Sequence, residues 1–338
     1  MRPIKYLFSL AAAASLLTLA PIAISNDHFY QGKTIQMVVG YSAGGGYDTF
    51  ARVVARHIGK HIPGNPNVVV QNVPGAGSLV AMNQLVNTMP QDGTYIGSIA
   101  RGLPYEPLFG NTQAQYDPLA VNWLGSVASE VSLCVVSTSS GIETYQDLYT
   151  QPLLVGATGS GGDSNVFPRV LADVMGFQMN VVAGYPGSAD ILLALERDEV
   201  QSICSWSYSS NKDTRDRLVE NGDARVIFQM AINKHPELPE VPLILDLAET
   251  EAQRQALTLL FGRQQMGRPF MTGPGVPEER VLILKAALEA TTRDPEFLAD
   301  AAAQSLEIDW FSGDDIEGLI AEAYTYPEEV VQVLLNAM

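Results

Sequence analysis

Residues that often bind metals or carry redox chemistry are scarce in this chain. Its 338 residues include only two cysteines and four histidines. The histidines, His28, His57, His61 and His235, do not join a cysteine or a carboxylate cluster at the spacing that metal ligands require. We therefore expect no metal site and no cofactor.

Positive charge is also scarce. Lysine and arginine number 20 against 37 aspartates and glutamates, which gives a formal net charge of −17. Such a surface repels nucleic acid and anionic lipid, so we expect no nucleic-acid partner. It also repels an anionic ligand at long range, and an anion site would therefore need strong local dipoles.

Long apolar runs are confined to the N-terminus. Arg2 and Lys5 precede an apolar stretch at residues 6–20, and small residues follow at positions 23–25. This pattern is typical of a secretory signal peptide, whereas a membrane anchor would need about 20 apolar residues. We expect residues 1–25 to be removed and the protein to be periplasmic.

The sequence does not determine whether its two cysteines form a disulfide bond. Cys134 and Cys204 each lie in an apolar, strand-like run. Export to an oxidising compartment permits a disulfide bond. A free cysteine in such a run behaves as a small hydrophobic residue, and the sequence does not choose between the two states.

Apolar runs and helix-periodic segments alternate along the chain. Residues 34–40 read as a buried strand, and residues 47–61 place Phe50, Val53 and Ile58 on one helix face. The alternation predicts an α/β fold, and the length suits two lobes. We expect each lobe to be a mostly parallel sheet flanked by helices.

Three turns rich in glycine and hydroxyl residues interrupt this pattern, at residues 42–46, 158–164 and 184–188. Glycine permits backbone conformations in which consecutive N–H groups converge at a helix N-terminus, which is a site for an anion. None of the turns contains lysine or arginine. Backbone dipoles and hydroxyls are therefore expected to hold a phosphate or carboxylate.

The first turn also permits a different class of function. Gly40-Tyr41-Ser42-Ala43-Gly44 matches the G-x-S-x-G motif of serine hydrolases, in which Ser42 would be the nucleophile. The general base would then be His235. A secreted serine hydrolase therefore stands as the alternative to an anion-binding turn.

Several stretches together resemble a known family. They include Gly44-Gly45-Gly46-Tyr47-Asp48, Pro74-Gly75-Ala76-Gly77-Ser78 and Gly184-Tyr185-Pro186-Gly187-Ser188, with further matches at residues 90–94, 238–242 and 275–279. Their order and spacing resemble the periplasmic receptors of tripartite tricarboxylate transporters, the Bug proteins. The resemblance covers essentially the whole chain after the signal peptide.

The resemblance implies a two-lobed periplasmic binding protein of the Venus flytrap type, similar to type II. Lobe I would comprise residues 26–125 and 226–338, and lobe II residues 126–225. Such a protein is not an enzyme. It would bind a small organic carboxylate as a monomer and deliver it to the large and small membrane subunits of the transporter. A ligand-sensing partner of a signalling system is a further alternative.

The predicted binding residues combine the turns with nearby polar and aromatic side chains. The resemblance implies that the proximal carboxylate lies between residues 42–46 and 158–160. The full predicted set is Tyr41, Ser42, Ala43, Gly44, Gly45, Gly46, Asp48, Arg101, Thr158, Gly159, Ser160, Asn165, Gly187, Ser188, Ser205 and Trp206.

Two members of this set bear on the ligand. Arg101 follows a predicted strand, so it either grips a distal carboxylate or forms an ion pair with Glu106 or Glu130. Ser205 stands where many family members have aspartate, which disfavours an amino acid. We expect a dicarboxylate, a tricarboxylate or an aromatic acid, with Trp206 as part of the wall.

Overall fold

The computed structural model of the protein describes residues 28–337, so the predicted signal peptide lies outside the described residues. In chain order the strands are β1 Thr34–Val39, β2 Asn67–Asn72, β3 Tyr95–Ser98, β4 Asn122–Ser126, β5 Ser132–Ser137, β6 Leu153–Ala157, β7 Met179–Ala183, β8 Ser202–Ser207, β9 Ala224–Met230, β10 Pro269–Thr272 and β11 Phe311–Ser312. The helices are α1 Gly46–Ile58, α2 Leu79–Asn87, α3 Asp163–Met175, α4 Ser188–Glu196, α5 Lys212–Glu220, α6 Glu251–Gly262, α7 Glu278–Thr292, α8 Pro295–Ala302, α9 Gly313–Ala323 and α10 Glu328–Asn336.

The strands form two sheets. One has six strands in the order β11-β4-β10-β3-β1-β2, and the other has five in the order β7-β6-β8-β5-β9. We call them the first and the second sheet. Helices flank both sheets, so the α/β class and the two-lobed architecture are confirmed.

Both sheets are mixed, so the structure refines the expectation of mostly parallel sheets. β1 pairs in parallel with β2 and β3, but β10 runs antiparallel to both β3 and β4. In the second sheet β6 is parallel to β7 and β8, whereas β5 is antiparallel to β8 and β9. The first strand after each connection between the sheets, β5 or β10, is reversed, and the short edge strand β11 is antiparallel to β4.

The chain crosses between the sheets twice. It leaves the first sheet after β4 and enters the second at β5, over residues 127–131. It leaves the second sheet after β9 and returns at β10, over residues 231–268. The two crossings place a cleft between the sheets. The exact lobe boundaries given above remain a prediction.

Helix α1 shows how the sequence pattern produces this packing. Phe50, Val53, Val54 and Ile58 recur at helical spacing and are all buried. They pack with β1 residues such as Val39 in one apolar core. This packing fixes the N-terminus of α1 at the carboxyl end of β1, where the chain turns through residues 40–45.

Two further features bear on the predictions. Cys134 and Cys204 lie opposite each other on β5 and β8, and their sulfurs are bonded. Within residues 28–337, no helix is long and apolar enough to cross a membrane.

Candidate functional site

The two sheets meet through main-chain contacts between glycine-rich turns. The N–H of Gly161 donates to the carbonyl oxygen of Ala76 at 3.1 Å. A Cβ added at Gly159 would clash with main-chain atoms of Ala76 and Gly77, and one added at Gly77 would clash with Gly162. Only residues without side chains allow this approach, so these glycines serve contact between the lobes.

A second contact joins the first and third turns. The Ser42 hydroxyl donates to Asp190 Oδ2 at 2.6 Å, and the Ser42 N–H donates to the Pro186 carbonyl oxygen at 3.3 Å. A Cβ at Gly187 would clash with the Ser42 hydroxyl, and one at Gly45 would lie 2.9 Å from the Ser188 hydroxyl. The two turns therefore close against each other directly.

A cavity of about 70 Å³ remains between the sheets behind these contacts. Its lining combines apolar, aromatic, hydroxyl and charged side chains. The lining residues are Tyr41, Gly45, Gly46, Tyr47, Arg101, Thr158, Asp163, Ser164, Ser188, Ile191, Ile203, Ser205, Trp206, Ser207, Ser210 and Arg268.

Three helices begin at this cavity. The residue before each of α1, α3 and α4 is a glycine, and within the described residues no side chain caps these starts. The first N–H groups of a helix have no partner inside it and carry the positive end of its dipole. The first residues of the three helices, Gly46, Asp163 and Ser188, all line the cavity. The cavity thus offers main-chain donors to an anion.

Arg101 enters the cavity wall from the loop after β3 and is 2% exposed. Its Nε donates to Asp163 Oδ2 at 2.7 Å, and its Nη2 donates to the Ser132 hydroxyl at 2.9 Å. Of the two expectations for Arg101, a grip on a distal carboxylate or an ion pair with Glu106 or Glu130, the structure shows an ion pair, but its partner is Asp163. Both observed partners belong to the lobe opposite Arg101, so this side chain ties the lobes together.

A second arginine, Arg268, precedes β10 and is also buried. Its Nη2 lies 2.7 Å from Glu130 Oε1 and 2.6 Å from the Ser210 hydroxyl. Its guanidinium carbon lies 4.7 Å from the centroid of the Tyr47 ring, within range of a cation–π interaction. Sequence reasoning did not find Arg268, although its position next to the apolar strand Pro269–Thr272 was a signal that it is buried.

Two tyrosines complete this side of the cavity. The rings of Tyr41 and Tyr47 stack with centroids 4.9 Å apart. Burial raises the pKa of both hydroxyls, so each stays protonated. The Tyr47 hydroxyl accepts a hydrogen bond from the Arg101 N–H at 3.0 Å, which leaves its own proton available to a ligand.

Half of the predicted residues line the cavity, namely Tyr41, Gly45, Gly46, Arg101, Thr158, Ser188, Ser205 and Trp206. The others lie around it without lining it, namely Ser42, Ala43, Gly44, Asp48, Gly159, Ser160, Asn165 and Gly187. Lining residues absent from the predicted set are Tyr47, Asp163, Ser164, Ile191, Ile203, Ser207, Ser210 and Arg268.

Asp48 illustrates a predicted residue that supports the site from outside. Its carboxylate accepts hydrogen bonds from the Gly44 N–H at 2.9 Å, from Arg52 at 2.9 Å and from Asn72 at 2.8 Å. Burial alone would raise the pKa of Asp48, but these hydrogen bonds outweigh it and the pKa lies below its ordinary value. The ionised side chain fixes the shape of the first turn.

The hydrolase motif does not assemble into a hydrolase site. In the described part of the chain, the partner of the Ser42 hydroxyl is Asp190. His235 lies in a different cavity of about 680 Å³, where it stacks on Tyr208 and its Nε2 lies 3.5 Å from Glu307. Among residues 28–337, no group of three or more histidine, cysteine or acidic side chains is arranged to hold a metal ion.

Two α/β lobes that are joined by two chain crossings and close on a small cavity of mixed polar and apolar lining define a bilobed solute-binding protein. The model of the tripartite tricarboxylate transporter family receptor matches residues 50–334, and the chain belongs to this family.

Related proteins agree with this placement. A UPF0065 protein in the gbd 5′ region of Cupriavidus necator is 26% identical over 317 residues, which cover 88% of this chain and 92% of the relative. The structure of the periplasmic binding protein BugD is 18% identical, covers 91% of this chain and 98% of its own, and has a TM-score of 0.71. MatC from Rhodopseudomonas palustris, solved with bound malate, is 17% identical with a TM-score of 0.69, over 88% of this chain and 99% of MatC.

Proposed function

We propose that this receptor captures a small organic carboxylate between its two lobes and delivers it to the membrane permease of a tripartite tricarboxylate transporter. The observation that carries the proposal is the convergence of α1, α3 and α4 on one cavity between the sheets. Helix N-termini supply main-chain N–H groups in a fixed arrangement, which bind a carboxylate without a mobile side chain.

The location of the cavity makes binding and closure a single event. One of the three helix starts, at Gly46, belongs to the lobe of the first sheet, and the other two belong to the lobe of the second. A carboxylate held by both lobes stabilises the closed arrangement, because it adds favourable contacts that the open arrangement lacks. Closure would then mark the loaded receptor for the permease.

The rest of the lining narrows the class of acid. Trp206, Ile191 and Ile203 give part of the wall an apolar surface, while Thr158 and Ser188 supply hydroxyls. Position 205 is serine and not aspartate. The ammonium group of an amino-acid ligand would therefore lack the carboxylate that many family members provide there. A di- or tricarboxylate or an aromatic acid fits this mixture, and MatC, a structural relative, binds malate.

A thermal-shift screen tests the proposal. The panel contains acetate, malate, succinate, citrate and benzoate, each paired with its neutral amide. An acid that binds should stabilise the protein by about 2.7 kcal/mol at 100 times its Kd, because it binds the folded state alone. The matching amide should give a much smaller shift, since it carries no charge.

Two results would contradict the proposal. One is an equal shift for acids and amides, which would show that the cavity does not read the carboxylate. The other is recovery of a chemically altered acid by mass spectrometry, which would reveal an enzyme. Uptake of the binding acid by cells with and without the gene then separates transport from signalling, because a sensor is not needed for uptake.

The proposal includes export. The mature chain would begin near residue 26, as a monomer in the periplasm. N-terminal sequencing of the exported protein tests cleavage directly. Recovery of the full-length chain from the membrane fraction would show that residues 6–20 act as an anchor.

A further inference from the structure

The two arginines of the cavity differ in how their donors are used. The donors of Arg101 bond to Asp163, to the hydroxyls of Ser132 and Ser207, and to the Gly267 carbonyl oxygen. Each of its three nitrogens has a protein partner. Arg101 is therefore occupied in holding the lobes together.

Arg268 has one hydrogen-bond donor without a partner among the described residues. Its Nη1 donates to the Gly267 carbonyl oxygen at 3.1 Å, and its Nη2 bonds to Glu130 and Ser210. Its Nε–H has no hydrogen-bond partner among the described residues, although the side chain is only 1% exposed. A buried N–H without an acceptor is unfavourable, and an acceptor supplied by a ligand would remove that penalty.

The surrounding charges also leave room for an anion. Arg101 and Arg263 share Asp163, at 2.7 Å and 3.5 Å, and Arg268 pairs with Glu130. These three guanidinium groups thus face two carboxylates. The surplus positive charge lies with Arg101 and Arg263, which share one acid, and it adds to the attraction of an anion while Arg268 supplies the unpartnered donor. An uncompensated charge in a buried site is unfavourable, so the cluster favours binding of a negatively charged ligand.

Glu106, another acidic residue near this cluster, does not supply the missing negative charge. Glu106 acts electrostatically on Arg263, but it forms no salt bridge in the described part of the chain. Burial raises the pKa of its carboxyl group, which favours the neutral form.

The position of Arg268 shows where the anion would lie. Its Nη2 is 2.9 Å from the point where a Cβ of Gly46, the first residue of α1, would be. The guanidinium group, the uncapped start of α1 and the Ser210 hydroxyl therefore meet at one end of the cavity. An acid group there would accept from the guanidinium and from the main chain at once.

We propose that Arg268 determines the charge specificity of the cleft by binding an anionic group of the ligand together with the N-terminus of α1. The inference rests on the proposed function, since it assigns a residue to the same cleft. It differs from the backbone-only recognition predicted for the turns, because the preference for an acid over its amide would come from one side chain.

The test compares affinities for an acid and its amide by calorimetry, with succinate against succinamide and benzoate against benzamide. In the unchanged protein the acid should bind more tightly than the amide. In Arg268→Gln that preference should fall by about 10- to 100-fold, because the variant replaces a charged donor with a neutral one. Affinity for the amide should change little, and Arg268→Lys should keep part of the preference.

Removing Arg268 alone strands Glu130 as an unpaired buried acid. The double variant Arg268→Gln/Glu130→Gln keeps the charges matched and should fold even if the single variant does not. Arg197→Gln serves as the control, because Arg197 is an exposed arginine on the surface. The control should keep the affinities for both compounds.

The outcomes separate this inference from the function on which it rests. If neither acid of the two pairs nor any other acid of the panel binds the unchanged protein, the proposed function fails. If an acid binds but the double variant keeps the full preference for acid over amide, Arg268 does not read charge and this inference is overturned. Equal losses for acid and amide would assign Arg268 a structural role and would also overturn it.

Discussion

The cleft has two regions that join the lobes by different chemistry. At its rim, glycine-rich turns touch through main-chain groups, as in the hydrogen bond from Gly161 to Ala76. At its floor, buried charged side chains connect the lobes, with Arg101 paired to Asp163. The rim relies mainly on main-chain contacts, with a side-chain hydrogen bond from Ser42 to Asp190, whereas the floor depends on charged side chains.

This difference separates two tasks. A main-chain contact across the rim requires close approach and little else, so it reports whether the lobes are closed. A buried ion pair on the floor is costly to break, since removing one partner leaves the other charge unpaired. We therefore expect loss of the Arg101–Asp163 pair to act mainly on stability, and changes at the rim to act on closure and affinity.

The largest expected effect concerns the floor. Arg101→Ala should lower the free energy of unfolding by about 1.5–3 kcal/mol, because the buried hydrogen bonds from Arg101 to Asp163 and Ser132 are lost while Arg263 remains 3.5 Å from Asp163. Urea unfolding measures the loss. A change below about 1 kcal/mol would show that the pair is not needed for stability and that Arg101 is available to a ligand.

The next effect concerns the rim. Gly159→Ala should weaken binding of a panel acid by roughly tenfold or more, since the new Cβ meets main-chain atoms of Ala76 and Gly77 in the facing lobe. Its nearest obstacles lie outside its own lobe, so the free energy of unfolding without ligand should change much less. Calorimetry and urea unfolding together check both parts.

Gly318→Ala is the matched control for this change. Gly318 lies in helix α9, and a Cβ there meets nothing within 4 Å. The control should keep its affinity and gain a little stability from the better helix propensity of alanine. If Gly159→Ala binds as tightly as the control, the turns do not need to meet for binding.

A smaller effect is expected for Ser42→Ala. The variant loses the hydrogen bond to Asp190, which is partly exposed, so closure should weaken by about 1 kcal/mol. Affinity should fall equally for an acid and its amide, because Ser42 contacts the other lobe and does not line the cavity. A loss confined to the acid would restore Ser42 as a direct ligand contact. Labelling of Ser42 by a serine-hydrolase probe would support the alternative that the protein is a serine hydrolase.

The smallest effect is a pH dependence of opposite sign in the two regions. At the rim, the pKa of Asp48 is lowered, so the stability it contributes is present above its ordinary pKa of 3.8 and is lost as pH falls through its folded value. Near the floor, burial raises the pKa of the Glu106 carboxyl group. The stability that its protonated form contributes is therefore present below its ordinary pKa of 4.5 and is lost as pH rises through its folded pKa.

Urea midpoints between about pH 3 and about pH 8 measure both slopes. Asp48→Asn should reduce the acid-side loss, and Glu106→Gln should reduce the decline above its ordinary pKa. If either variant keeps the profile of the unchanged protein, the corresponding residue does not contribute to that slope.

The sequence was most informative where a local pattern decides the structure. The spacing of Phe50, Val53 and Ile58 predicted α1. The glycine turns were predicted as anion sites, and the structure shows that they also meet across the lobes. The mixed sheets could not be read in the same way. Strand β10 is inserted between β3 and β4 after a long excursion, and nothing in its own four residues encodes the direction in which it pairs.

The site was harder to predict than the fold, for a related reason. Arg268 reaches the cavity from a segment more than 200 residues after the first turn, so its role depends on tertiary placement. The pattern around Arg101 suggested a crevice correctly, but it did not identify Asp163 as the partner. Ser42 fitted an anion turn, yet its hydroxyl is bonded to Asp190 of the opposite lobe.

The hydrogen bond between Gly161 and Ala76 has a consequence for engineering. Because it joins main-chain groups, it does not depend on the identity of side chains elsewhere in the cavity. Substitutions at Ile191, Ile203 and Ser205 would therefore change which acid fits while the docking of one lobe on the other is preserved. A library at these three positions is a direct route to biosensors that share one closing motion and respond to different acids.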